Sequence, residues 1–417
     1  MEGVERMNRR VVITGMGAVT PIGNNLSSFW QGVREGRCGV GPITQFDASQ
    51  QKVRLAAEVD IDLSDLIPAA EQRKMDRFTQ LGVVAAREAL ADSGLAGGSF
   101  DPARCGVLVS SGIGGLSTIE RECARGLERG FGRVSPFFIP MSITNMAAGR
   151  IAIESGFQGY SASVVTACAG GTNAIGDAMR MIRHGYADVM LCGGAEGCIT
   201  PLAIGGFTSM KALTECGDPL RASIPFDARR SGFVMGEGAG VLVLEDLDHA
   251  LARGARIYGE VSGYGATCDA YHITAPEPNG RGGAQAMAMA LADAGLQPGD
   301  IQYINAHGTS TPLGDRGETL AVKAVFGEHA YQIPVRSTKA MTRHLLGAAG
   351  GVEAIICAMA VGEGYVPATI HYEEPDPDCD LDVVPNRGRT QPVCHAMSNS
   401  LGFGGHNGSI LLKKWEA

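Results

Sequence analysis

Aromatic side chains are scarce in this sequence, 6% of its 417 residues with only two tryptophans, and none of its eleven cysteines pairs with another at CxxC spacing. An odd number of scattered cysteines argues against a disulfide framework and gives no zinc-ligand spacing, so the thiols read as reduced ones and no metal is expected. No apolar run reaches the length of a membrane span, and the opening "MEGVERMNRR" lacks the apolar core of a signal peptide. A cytoplasmic protein is expected, with Met7 offering a second start that would make the first six residues dispensable. Positive charge is in deficit: 35 Lys and Arg stand against 44 Asp and Glu, a formal charge of −9. That balance argues against nucleic acid or an anionic membrane as the main partner.

Glycine, by contrast, is abundant at 59 residues, and 45% of the chain is hydrophobic, much of it Ala, Val and Ile. Many tight turns around a large core are implied, and the length suits two or three domains. Strand-like and helix-like segments alternate. "RVVITGMG" and "CGVLVSSG" read as buried strands, and "FTQLGVVAAREALADSGL" as a helix closing on Gly94. Such alternation predicts an α/β protein with a mostly parallel sheet. The sequence also echoes itself. "EALADSGL" (88–95) recurs as "MALADAGL" (289–296), and "AIGDAMRMIRHGY" (174–186) aligns with "AIICAMAVGEGY" (354–365). Two echoes in the same order predict a duplicated domain, with halves 1–253 and 254–417. The first half carries an insertion over about 197–237, rich in Gly, Pro and Arg, of the kind that builds a substrate pocket.

In "VVTACAGGTNAIGDAM", "SVVTA" reads as a strand and "TNAIGDAMRMIRHG" as a helix, which places Cys168 at a strand-to-helix turn. By position alone a packed thiol is the commoner case, since cysteine is often buried. Unpaired N–H groups at a helix start favour a thiolate, however, and can also hold an oxyanion. Gly170 and Gly171 imply close backbone or ligand approach there, because glycine near a helix start costs about 1 kcal/mol relative to alanine.

In the second half, "YINAHGTSTPLGD" places His307 directly after a strand, ahead of a helix beginning near Asp315. "RSTKAMTRHLLGAAGG" repeats the arrangement with Lys339 and His344. A lone histidine is usually a core or surface residue, whereas residues at the ends of parallel strands converge on active sites. One cysteine and two histidines at such ends suit nucleophilic catalysis. "SNSLGFGGHNGS" (398–409) reads as a glycine-rich loop between two strands, either a tight connection or a source of an oxyanion-binding N–H with Phe403 as a hydrophobic gate. It lacks the Gly-Lys-Ser/Thr of a phosphate loop, and "GMGAVTPIG" does not fit a dinucleotide fingerprint.

Taken in order and spacing, "TACAGG", "NAHGTSTPLGD", "STKAMTRHLLGAAGG" and "NSLGFGGHNGS" resemble the β-ketoacyl-[acyl-carrier-protein] synthases of the thiolase superfamily, and the resemblance runs over nearly the whole chain. It implies a duplicated thiolase-like fold in five layers, α/β/α/β/α, working as a homodimer without nucleic acid, membrane or a cofactor of its own, the pantetheine arm being delivered by acyl carrier protein. Cys168 would take the acyl chain. His307 and His344 would promote decarboxylation of malonyl-carrier protein, and the N–H groups of Cys168 and Phe403 would form the oxyanion hole. Lys339, paired with Glu318, would organise the histidines. Thr309 and Thr311 match positions that hydrogen-bond pantetheine, and Ile113 and Phe207 match residues of the acyl pocket. Arg73, Lys74 and Lys211 match the carrier-binding surface, although ordinary solvated charge explains those three equally well.

Two departures stand out: Arg343 occupies a position where the family usually has glycine, and Leu401 replaces a common phenylalanine. A thiolase acting on coenzyme A esters would place a second cysteine in the last glycine-rich loop, and this chain has Phe403 and no cysteine there. A chain-length-factor-like partner subunit would lack the nucleophile. A ketosynthase of a secondary polyketide pathway uses the same three residues and stays open.

Overall fold

The computed structural model describes residues 9–95 and 100–416; the Met7 start lies outside them. Apolar runs become strands. The first half supplies β1 (Val11–Val19), β2 (Cys105–Ser110), β3 (Ser161–Ala162), β4 (Val189–Glu196) and β5 (Gly238–Asp246). The second supplies β6 (Gly259–Cys268), β7 (Tyr303–Asn305), β8 (Val335–Arg336), β9 (His395–Gly402) and β10 (His406–Lys413). Every residue of β1, β2, β4 and β5 is buried, as expected of strands covered on both faces.

In space the strands run β3-β2-β4-β5-β1 and then β6-β10-β9-β7-β8. Counted within its own half, each set has the order 3-2-4-5-1. Each set also has two parallel pairings followed by two antiparallel ones, so the mostly parallel sheet expected from the sequence is a mixed one. The sets meet where Val12 and Ile13 of β1 pair with Glu260 and Gly259 of β6.

The helices that frame the site are α1 (Arg77–Asp92), α2 (Leu116–Arg129), α3 (Met146–Ser155), α4 (Gly170–Arg183), α5 (Pro201–Ser209), α6 (Arg281–Ala294), α7 (Pro312–Phe326), α8 (Lys339–Thr342) and α9 (Ala349–Glu363). α1 and α3 cover the outer face of the first set of strands, and α6 and α7 that of the second. α4 and α9 lie between the sets and touch strands of both, which gives the α/β/α/β/α layering. The sequence echoes fall on matching elements: one pair lies at the ends of α1 and α6, the other in α4 and α9.

Local readings need correction in several places. The strand predicted over 163–167 does not form: only Ser161 and Ala162, just before it, pair with β2; the chain then leaves the sheet, and Val165 is exposed. The following helix starts at Gly170 rather than Thr172, and the helix expected near Asp315 starts at Pro312. Leu346–Glu363 does have the length and apolarity of a membrane span, with mean hydropathy 1.4, but 83% of it is buried as the central layer. Gly171 explains how that layer packs so closely. A Cβ there would lie 2.8 Å from the Gly347 carbonyl oxygen and 2.9 Å from the Gly351 nitrogen, so Gly171 serves backbone approach between α4 and the start of α9, whereas Gly170 makes room for the Ser110 side chain of β2.

Candidate active site

Cys168 sits in a single tight turn, Ala167–Ala169, between β3 and α4, with Ala167 at φ +50°. Cys168 and Ala169 are buried, and the backbone N–H groups of Phe403 and of Cys168 itself lie near enough to the sulfur to favour its thiolate. Phe403 comes from the hairpin between β9 and β10, which packs so tightly on the cysteine turn that a Cβ on Gly402 would lie 3.1 Å from the Cys168 nitrogen. Burial pushes the Cys168 thiol up to about 12, and the Lys339 charge and the two N–H groups only partly offset it. The expectation of a thiol acidified by its helix start is therefore corrected, because desolvation outweighs those groups in the resting site.

His307 follows β7 by two residues, and its backbone N–H and that of Gly308 each donate to Glu318 at 2.8 Å. His344 follows α8. Its N–H donates to the Val234 carbonyl at 3.0 Å and its own carbonyl accepts from the Gly236 N–H at 2.9 Å. The insertion thus holds this histidine by its backbone, and Phe233 adds an edge-on ring contact at 5.1 Å. The two imidazoles stand 5.2 Å apart, nearly perpendicular. Burial, then the Lys339 charge, holds both well below the ordinary histidine value, and His344 adds to the effect on His307. Both rings are neutral near pH 7.

The expected Lys339–Glu318 pair is corrected. Lys339 Nζ forms a buried ion pair with Glu353 of α9, because the Glu318 oxygens already accept from the His307 loop. Sequence reasoning missed Glu353, although a single carboxylate inside "GGVEAIICAMAV" was a visible signal. Asp315 was named only as a helix start. It accepts from the N–H groups of Phe226 at 2.9 Å and Ser310 at 3.2 Å, and burial pushes its carboxyl up to about 7. It thereby fixes the loop in which the Thr309 and Thr311 hydroxyls lie 3.0 Å apart.

Cys168, His307, His344, Thr309, Thr311 and Phe403 line one cavity of about 320 Å³, together with Phe207, Lys211 and Leu401. Phe207 and Phe403 stack across it with ring centres 6.2 Å apart. Ile113 packs in the apolar cluster around Cys168 without lining the cavity. Arg73 and Lys74 lie away from it; Arg73 is exposed and Lys74 is paired with Glu71 at 2.7 Å. Arg343 neither blocks the cavity nor reaches solvent. Its backbone is at φ +66°, and its buried guanidinium donates to the carbonyls of Ser223 at 3.0 Å and Ala340, and contacts Cys38 Sγ at 2.8 Å.

Comparison with known proteins follows the same outline. The family described as "Beta-ketoacyl synthase, N-terminal domain" matches residues 8–250, and "Beta-ketoacyl synthase, C-terminal domain" matches 258–373. A protein of Synechocystis sp. named 3-oxoacyl-[acyl-carrier-protein] synthase 2 is 54% identical over 410 residues, covering 98% of this chain and 99% of that one. A Staphylococcus aureus protein of the same name is 51% identical, with the same coverage. A type II polyketide ketosynthase, solved in complex with its acyl-carrier protein, superposes with a TM-score of 0.91 at 34% identity over 98% of this chain and 100% of that one. With both halves matched and relatives more than half identical from end to end, the chain belongs to the β-ketoacyl synthase family.

Proposed function

We propose that the protein is a 3-oxoacyl-[acyl-carrier-protein] synthase that elongates fatty acyl chains by decarboxylative condensation. The observation that carries this reading is the pair His307 and His344, ring centres 5.2 Å apart, sharing one cavity with Cys168 and Phe403, both imidazoles held neutral by burial. In the first step Cys168 Sγ attacks the thioester carbonyl of an acyl chain on acyl carrier protein. A neutral imidazole takes the thiol proton, the oxyanion is held by the N–H groups of Cys168 and Phe403, and the pantetheine thiolate leaves with that proton, which returns the imidazole to its neutral form. Removing one such donor typically costs about 10²–10³ in rate. In the second step malonyl-carrier protein enters, and the two imidazoles donate to its thioester oxygen. The bond to the carboxylate breaks, carbon dioxide leaves, and the electron pair stays as an enolate. That carbon attacks the acyl-cysteine carbonyl; the tetrahedral intermediate collapses and expels the Cys168 thiolate, which takes up a proton from water to restore the thiol.

Thr309 and Thr311 place two hydroxyls where the pantetheine arm passes, and Phe207 with Ile113 bounds the acyl chain. The acidic carrier docks through Lys211 at the cavity mouth, with Arg73 and Lys74 as outlying contacts; Lys74 is the weakest of the three because Glu71 takes up its charge. The enzyme needs no cofactor of its own. It works as a homodimer: β3 is an edge strand with no partner on its outer side among the described residues, and Leu127, Phe131, Phe137 and Ile139 expose large apolar side chains along α2 and the segment after it. Eleven free cysteines suit a reducing cytoplasm. The test is a panel of acyl-carrier proteins of varied chain length with malonyl-carrier protein, products read by mass spectrometry and assembly by sedimentation. Single-round 3-oxoacyl products from a dimer are expected. Repeated condensation without reduction would replace this reading with a polyketide ketosynthase, and no acyl-enzyme at all would end it.

A further inference from the structure

Behind the histidines lies a second charge that the mechanism does not use. Arg336 on β8 is in register with Asn305 on β7, and Asn305 with Ser398 on β9, so the three side chains stand side by side on one face of the sheet. Tyr303 shares that face two residues earlier, with its ring centre 5.4 Å from the guanidinium carbon. α9 covers the face, and its Glu353 and Cys357 are one turn apart. Arg336 is wholly buried. Its three side-chain nitrogens, the Tyr303 and Ser398 hydroxyls and the second carboxylate oxygen of Glu353 have no hydrogen-bond partner among the described residues. An arginine stays protonated in any protein environment, and a buried charge persists only when it is compensated. Glu353 packs over the same face, its backbone carbonyl accepting from Asn305 Nδ2 at 3.4 Å.

We propose that Arg336 is a positioning residue for the condensation, acting through Glu353 and Lys339 on the His307–His344 pair. Lys339 engages one oxygen of Glu353, and Arg336 stands in register beside Asn305, over which Glu353 packs. Glu353 is pressed from both sides: burial and the Glu318 charge favour its neutral form, and Lys339 and, less strongly, Arg336 favour the carboxylate, with Tyr303 and Cys357 as the other titratable groups nearby. Should Glu353 take up a proton, Lys339 loses its counter-ion and moves relative to the imidazoles it holds neutral. Arg336 sets how far pH can fall before that happens.

The inference rests on the proposed condensation, and it is tested by two readouts, one of which needs no turnover. In Arg336→Met the acid limb of malonyl-carrier decarboxylation should move up by about 1–3 pH units, the size of shift a charge within about 4–6 Å produces. The rate should fall at least about tenfold near pH 7 and recover at alkaline pH, and Arg336→Lys should restore most of it. In parallel, infrared titration of ¹³C-glutamate-labelled protein should show the protonated Glu353 carbonyl band persisting to higher pH in Arg336→Met than in the parent, and vanishing in the double variant with Glu353→Gln. Should methionine prevent folding, Arg336→Gln, which keeps donors without charge, carries both measurements. A folded, neutral variant with unmoved profile and unmoved band would make Arg336 a packing residue and overturn the proposal, as would a parent Glu353 that stays protonated to pH 9. A parent without condensation activity but with the expected infrared shift would instead overturn the proposed function alone.

Discussion

Two residues past the end of β2, the N–H of Gly112 donates to buried Glu196 at 2.8 Å, and the next residue, Ile113, donates to the same carboxylate at 3.4 Å. Two residues past the end of β7, the N–H of His307 donates to buried Glu318 at 2.8 Å, and the next residue, Gly308, does the same. The two halves thus hold the same turn with the same device, a desolvated carboxylate accepting backbone N–H groups. One side chain differs: the turn that ends in glycine in the first half ends in an imidazole in the second. After the third strand the contrast reverses in kind, since the first half presents Cys168 on a tight turn and the second presents His344 beyond α8. Duplication supplied a rigid frame with equivalent strand ends. In the proposed mechanism the chemistry is divided by the side chains at those ends, with acyl transfer assigned to the first half and decarboxylation to the second.

That division fails most visibly if the wrong half controls a step. Cys168→Ala should lose covalent acylation and condensation down to background while still releasing carbon dioxide from malonyl-carrier protein. His307→Ala and His344→Ala should each slow that release by about 10²–10⁴-fold, the usual range for a lost acid–base group, yet leave Cys168 open to acylation. Radiolabelled acyl transfer and carbon dioxide trapping separate the two readings. Acylation at another cysteine, or unchanged decarboxylation in both histidine variants, contradicts the division.

A pH profile sharpens the same point. Because burial and the Lys339 charge hold both imidazoles well below the ordinary histidine value, each stays neutral as pH falls through 6.5 and charges only below it. Decarboxylation by the parent should therefore keep its rate at pH 6. A charged imidazole would stabilise the malonyl carboxylate that must leave and could not accept the thiol proton. Lys339→Met removes the positive neighbour, which raises both histidines and should move the acid limb toward 6.5. A limb that stays where it was would mean that Lys339 acts only on geometry.

The two buttressing carboxylates provide the next comparison. Glu318→Gln and Glu196→Gln each turn an amide donor toward N–H groups, and leaving buried donors unpaired should cost about 1–3 kcal/mol of stability each, read by urea unfolding. Glu318→Gln should slow carbon dioxide release more than acylation, and Glu196→Gln the reverse. Equal damage to both steps from either change would show that the halves are not independent.

The frame was legible from sequence because its signals are local or repetitive. Strand runs, helix stops and two echoes sufficed for a duplicated α/β reading, and Cys168, His307, His344 and Phe403 fall on one cavity because strand ends gather there. Long-range partners were not legible. Glu353 meets Lys339 only because α9 packs behind α8, and Glu318 is drawn to a backbone rather than to the lysine. Lys74 looked like free surface charge until Glu71 took it up. The cysteine turn was misjudged for a related reason: helix-start N–H groups show in sequence, whereas the desolvation that outweighs them depends on the whole fold.

Arg343 is the smallest expected effect and the finest test of how the second half holds its histidine. Its backbone, at φ +66° and ψ −172°, lies in a region that costs a residue with a side chain about 1–3 kcal/mol. Glycine would relieve that strain. It would also remove a guanidinium that bridges the carbonyls of Ser223 and Ala340 to Cys38, leaving buried acceptors without donors. The two effects oppose each other, so the net change in stability should be small. Activity should change even less, because His344 is fixed through its own backbone to Val234 and Gly236, and neither bond involves the arginine side chain. Arg343→Gly should thus alter condensation by less than about tenfold, under about 1.4 kcal/mol in the barrier. A gain or loss of several orders of magnitude in the steady-state rate would show instead that the arginine itself sets the position of the imidazole.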